Sequence, residues 1–363
     1  MWALFTALCL SQADGGKLAR PEPVAEVVHG GRTVRQTREL MHTKVTIAIA
    51  DPPREGLSDH QADFDAAFAV FAHVDLTMNE WREDSALGAI NASAGDAGVA
   101  APEDLCEVIR LSLEGAKKTN GLFDPTWAAL KDVWQFGGNA APALPDPALL
   151  KARCKLVGWK NVELTPAKSP TPENACSVRL KKAGMKLGLG GVVKGWGVDR
   201  AVKVLRAAGY KNFFVQAGGD LYLAGHVGDR AWKVGIRDPR GDEESSFART
   251  EVTDATFSTS GDYEHFFVKD GVRYHHIIDP RTCMPARGAV SATILAKSAV
   301  DAEFLTKASF ILGAKDGLRL AQANGAQLVL VDADGGVHFS PSLKGKLEWW
   351  QPSGFGPADA GSR

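Results

Sequence analysis

Tyr274-His275-His276-Ile277-Ile278-Asp279-Pro280-Arg281-Thr282 sets an imidazole and a carboxylate three residues apart, between a strand-like run and a proline stop. Successive side chains of a strand point to opposite faces, so His275 and His276 cannot serve the same side. His276 is taken as a general base and His275 as a structural residue. An imidazole titrates near neutral pH and can take the proton of a hydroxyl, with Asp279 as its acid–base companion across the turn. By itself the stretch is only a hint, since a histidine is more often a satisfied structural group than a base.

Outward from this stretch, residues 44–50, 212–217, 232–238, 290–296 and 327–332 read as further strands. Ser58 and Gln61 form a capping-box pattern ahead of Phe64, Phe68, Phe71 and Leu76, which predicts a helix ending near Trp81. Apolar periodicity gives more helices over 102–119, 192–208, 301–312 and 314–323, while the proline-rich span 142–173 reads as loops with short elements. Strands and helices mixed without strict β-α-β alternation argue for one α+β domain with largely antiparallel sheets and flanking helices. Its expected extent is 39–350, behind a linker over 14–38 and ahead of a disordered tail over 351–363.

The 363 residues suffice for a substantial core. With 42 basic and 43 acidic residues the net charge is −1, which argues against nucleic acid as a partner. The five cysteines contain no CxxC pair, so a structural zinc site is not indicated; Cys154 and Cys176 are a candidate disulfide if the protein is exported. Residues 1–13 form a short apolar run closed by small residues, a candidate signal peptide that lacks the usual basic start; a plain N-terminus is the other reading.

Four glycine- and hydroxyl-rich stretches precede the opening one: Asn120-Gly121-Leu122-Phe123-Asp124-Pro125-Thr126, Gly190-Gly191-Val192-Val193-Lys194-Gly195, Gly218-Gly219-Asp220-Leu221 and Thr259-Ser260-Gly261-Asp262-Tyr263. In this order, over residues 41 to 330, the chain resembles the FAD:protein FMN transferase (ApbE-like) family. The resemblance implies an enzyme that cleaves FAD with Mg²⁺ and attaches FMN, through a phosphoester, to a Thr or Ser of a partner protein. AMP leaves. It implies export, FAD as substrate, and an acceptor segment on a membrane-associated redox subunit.

By the same resemblance Met41, Trp81, Gly121, Leu122, Phe123, Lys194, Ile277 and Lys307 contact the flavin nucleotide, and Gly191, Asp301 and Glu303 occupy metal-site positions. Elementary chemistry supports part of this. A glycine turn opening a helix presents free N–H groups to a pyrophosphate, and Lys194 adds a positive charge. An indole such as Trp81 can stack on a flavin. Three positions depart from the family pattern: Gly188 stands where an Asp is usual, Lys307 where a metal-binding Thr is usual, and Cys283 where a Gly is usual. An ammonium has no lone pair for a metal. The alternatives are therefore a flavin-binding protein of the same fold without transfer, and hydrolysis of FAD with water as acceptor.

Overall fold

The computed structural model describes residues 24–28, 31–50, 60–136, 143–242 and 245–349. Its spine is a nine-stranded sheet, numbered here in chain order: β1 Val24–Val28, β2 Gly31–Leu40, β3 Thr43–Ala50, β4 Phe213–Ala217, β5 Asp220–Ala224, β6 Ala255–Gly261, β7 Ser291–Ala296, β8 Gln327–Val331 and β9 Val337–Phe339. The spatial order equals the chain order, and every neighbouring pair is antiparallel. The α+β expectation holds, and the sheet is a meander into which all other elements are inserted.

The long insertion between β3 and β4 carries helices α1 Gln61–Thr77, α2 Ala86–Ala92, α3 Glu103–Lys118, α4 Pro147–Cys154 and α5 Val193–Ala207. It also carries a three-stranded sheet of Val99–Ala101, Asn174–Leu180 and Val162–Thr171. Helix α1 buries Phe64, Phe68, Phe71 and Val74 on one face, at the three- and four-residue spacing that a helix needs to bury a stripe. Helix α3 has Glu103 and Asp104 in its first turn and Lys117 and Lys118 in its last, which suits the helix dipole. Between β7 and β8 come α6 Ala299–Leu312 and α7 Ala314–Ala323. Ser298 caps α6, accepting from Asp301 N at 3.3 Å.

Several expectations change. The linker read over 14–38 contains, from residue 24 onward, the paired strands β1 and β2. Thr33, Val34 and Gln36 are buried there, so pairing with β3 overrides the polar composition. The helix at Gln61 begins at His60 without a side-chain cap, while Ser58 lies outside the described residues, as do the candidate signal segment and the tail. The strand expected through 274–278 breaks at His276 and Ile277, giving Val272–His275 and Ile278–Asp279. Cys154 does not pair with Cys176: the disulfides are Cys106–Cys176 and Cys154–Cys283, with Cα atoms 6.0 and 5.8 Å apart. Bond geometry needs such spacing, and the chain topology supplies it for partners 70 and 129 residues apart. Among the described residues no helix is long and apolar enough to cross a membrane.

Candidate active site

The stretches separated in sequence meet where the glycine turn enters α5. Helix α3 ends in a left-handed pair, Asn120 (φ 53°) and Gly121 (φ 81°), and Gly121 N donates to Ala116 O at 2.7 Å. This reversal sends Leu122 and Phe123 inward, where Leu122 joins Ile277 in one apolar cluster. The Phe123 ring packs against Phe304 of α6, with centroids 4.6 Å apart. Asp124 fixes the next turn, accepting from Thr126 N at 2.8 Å and from Trp159 N at 2.9 Å. Burial raises its carboxyl above the ordinary range despite those bonds.

At Gly191 an added Cβ would lie 3.1 Å from Lys307 Cε and 3.5 Å from the Phe123 ring, so Gly191, Phe123 and Lys307 share one contact. Lys307 pairs with Glu303 one turn earlier on α6. Glu303 Oε1 also accepts from Gly195 N at 3.2 Å. Burial and the Asp220 charge push the Glu303 carboxyl up to about 7, against the pull of Lys307 and Lys194. Lys194 lies 3.8 Å from buried Asp220. Burial opposes its charge, but Asp220 and Glu303 outweigh that and raise its pKa. The hairpin tip at Met41 and His42, both at positive φ, lies close by: a Cβ on Gly218 would be 3.0 Å from Thr43 Oγ1 and 3.8 Å from Lys194 Nζ.

His276 is half-buried, and its backbone N–H donates to His265 O at 3.0 Å. Its Nδ1 is buried with no hydrogen-bond partner. Burial, then His265, His275 and finally Lys307, pull the imidazole down to about 3, so it is neutral at physiological pH. His275 is structural, with Nε2 bonded to Ala286 O at 2.9 Å and its ring edge-on to Phe310. Asp279 shapes the turn: it accepts from Arg281 N at 2.9 Å and pairs with the Arg281 guanidinium at 2.7 Å. That bidentate pairing makes it an organiser of the loop that presents His276. Cys283, at φ 57°, ends the loop in its disulfide to Cys154. Beside it a cavity of about 300 Å³ is lined by Gly121, Trp159, Lys160 and Arg281 among others.

Sequence reasoning missed the other end of the glycine turn. Glu80 Oε2 accepts from Gly190 N at 3.1 Å, and Glu80 pairs with Lys131. The ammonium lies off the hydrogen-bond line of that carboxylate and sits 3.7 Å from the Trp81 ring centre. Burial pulls the Lys131 pKa down, against Glu80. A Cβ on Gly188 would be 2.9 Å from Trp127 Nε1 and 3.0 Å from Glu80 Oε2. An aspartate therefore has no room at 188, and the carboxylate beside that position comes from Glu80. The adjacent, singled-out Trp81 was the available signal.

The residues given to a metal do not form a donor set. Gly191 could offer only its backbone carbonyl, and Glu303 is committed to Lys307 and Gly195 N. Asp301 lies two residues from Glu303, about 200° around the helix, and pairs with Lys118 on the exposed side. Thr306 turns to the sheet, donating to Ala292 O at 2.9 Å. Among the described residues no group of three or more His, Cys, Asp or Glu could hold a metal ion.

Over most of its length the chain is similar to known proteins. A model of the ApbE family matches residues 41–330. The FAD:protein FMN transferase of Treponema pallidum is 37% identical over 262 residues, covering 69% of this chain and 72% of that protein. That of Vibrio cholerae is 30% identical over 318 residues, covering 86% and 90%. Among solved structures, the ApbE protein of Thermotoga maritima superposes with a TM-score of 0.76 at 31% identity, covering 86% of this chain and 99% of that one.

Proposed function

Because this chain belongs to the ApbE family, we propose that it is an FAD:protein FMN transferase, moving the FMN half of FAD onto a hydroxyl of a partner protein. The carrying observation is that the glycine turn, Lys194 and Lys307 meet at one place, with His276 close enough to feel the Lys307 charge. The hydroxyl oxygen attacks the phosphorus of the FMN half, and a new P–O bond forms. The bond from that phosphorus to the bridging oxygen breaks, and AMP leaves with the oxygen.

Each chain element has a task in this step. The positive N-terminal end of α5 attracts anionic oxygens. Lys194 and Lys307 offset charge that develops on the departing phosphate. Neutral His276 accepts the hydroxyl proton; the arriving phosphates raise its basicity, since nearby anions favour the charged imidazolium. Leu122, Ile277 and Phe123 give the site an apolar wall, and exposed Trp81 offers a face to the flavin ring.

The acceptor residue is proposed to be a Thr or Ser on a membrane-associated redox subunit, met outside the cytoplasm. The two disulfides support an oxidising compartment. The test is incubation with FAD and a Thr-containing acceptor domain, followed by intact mass of the acceptor. A gain of one FMN residue, lost on His276→Gln, is expected. FAD binding without any gain would leave a flavin-binding protein and overturn the reading.

A further inference from the structure

We infer that Lys307, with Lys194, supplies from the chain itself the positive charge that a divalent cation would bring to the FAD pyrophosphate, so that transfer needs no added metal. This rests on the transferase reading. Three observations carry it.

First, the Lys307 side chain crowds the space that a side-chain donor at position 191 would enter: its Cε lies 3.1 Å, and its Cδ 3.6 Å, from the Cβ that such a residue would bring. Second, the charges are layered. Glu303 and Asp220 side chains are 2% and 4% exposed, whereas Lys307 and Lys194 are 26% and 33% exposed. Two sealed carboxylates thus hold two ammonium groups at the accessible surface. A further divalent cation would sit beside two like charges, whereas a pyrophosphate would meet them as counter-ions.

Third, the remaining carboxylate that could help a metal, Asp301, faces away and is neutralised by Lys118. The two oxygens of Glu303 accept separately from Lys307 and Gly195 N. The ammonium cannot ligate a metal, but it can donate up to three hydrogen bonds to phosphate oxygens. As P–O bonding to AMP breaks, negative charge grows on the leaving phosphate, and a fixed ammonium stabilises it as a metal would. His276 takes the acceptor proton, so no co-reactant is missing.

The test uses full-length protein, FAD and the acceptor domain, with acceptor mass as readout, in excess EDTA and in millimolar Mg²⁺ or Mn²⁺. Equal rates within about twofold are expected. A requirement for the cation, with transfer falling more than about tenfold in EDTA and returning with Mg²⁺, would overturn the proposal. Lys307→Met should lose roughly 10²–10³-fold in EDTA, the range for removing one transition-state donor, and Lys307→Arg should regain part of it. Circular dichroism and thermal melting separate this from misfolding. FAD affinity, read by flavin fluorescence, gives a second readout: it should be unchanged by EDTA and weakened by Lys307→Met. If no acceptor is labelled under either condition the transferase reading fails, while EDTA-insensitive FAD binding that needs Lys307 still supports the charge substitution. EDTA-sensitive binding would sink it.

Discussion

The two ends of the glycine turn are fastened by the same device put to different uses. At the entry, Gly190 N donates to Glu80, which pairs with Lys131; at the exit, Gly195 N donates to Glu303, which pairs with Lys307. At the entry the lysine is shut in, 10% exposed, and lies over Trp81 and within 5.4 Å of Trp127. At the exit the lysine faces the cleft beside Lys194 and His276. A Glu–Lys pair is therefore structural or functional according to which member is sealed from solvent, because only an accessible ammonium can meet a substrate anion.

The same substitution at both ends should break this symmetry most clearly. Lys131→Met leaves Glu80 buried without its counter-charge and should lower unfolding free energy by about 3–5 kcal/mol, as for other broken buried pairs. Lys307→Met should cost less, because Glu303, already pushed up to about 7, takes a proton readily. Urea midpoints of the two variants decide it; equal losses would abolish the distinction. The exit side has a second fastening in Cys154–Cys283, which holds the His276 loop. Cys154→Ser with Cys283→Ser should cost about 2–4 kcal/mol, and transfer should fall more than FAD binding.

Trp81 belongs to both roles, covering Lys131 with one face while being 61% exposed. Trp81→Ala should weaken FAD by roughly tenfold, in line with about 0.5–1.5 kcal/mol for an aromatic pair; unaltered quenching of flavin fluorescence would confine it to the structural end. A separate effect concerns pH. His276 in the folded protein sits at about 3, below its ordinary 6.5. Between those values the unfolded chain takes a proton that the folded protein declines, so stability falls as pH drops below about 6.5 and is untouched above it. His276→Gln should flatten that slope in melting temperatures taken from pH 7 to pH 4.

Much of this was legible in the chain. Helix α7 and strands β4, β7 and β8 fall within a residue or two of their expected bounds, and for β7 and β8 the apolar runs are also the buried ones. The helix phase that separates Thr306 from Glu303 and Lys307 follows from 3.6 residues per turn, and the structure turns Thr306 to the sheet. Strand β2 was hidden, since a strand paired on both sides, here by β1 and β3, can be polar when the ladder supplies its hydrogen bonds. The Asp279 side chain read as an acid–base group, but its neighbour Arg281 claims it for the turn.

The sequence by itself determined the α+β class, the order of the motifs, and the absence of donor side chains at Gly191 and Lys307, because periodicity and residue chemistry are local properties. Only the tertiary structure decided which cysteines pair, that Glu80 reaches Gly190 from 110 residues away, and which lysine opens on the cleft. These depend on which surfaces pack together, and a chain read residue by residue carries no record of that distance.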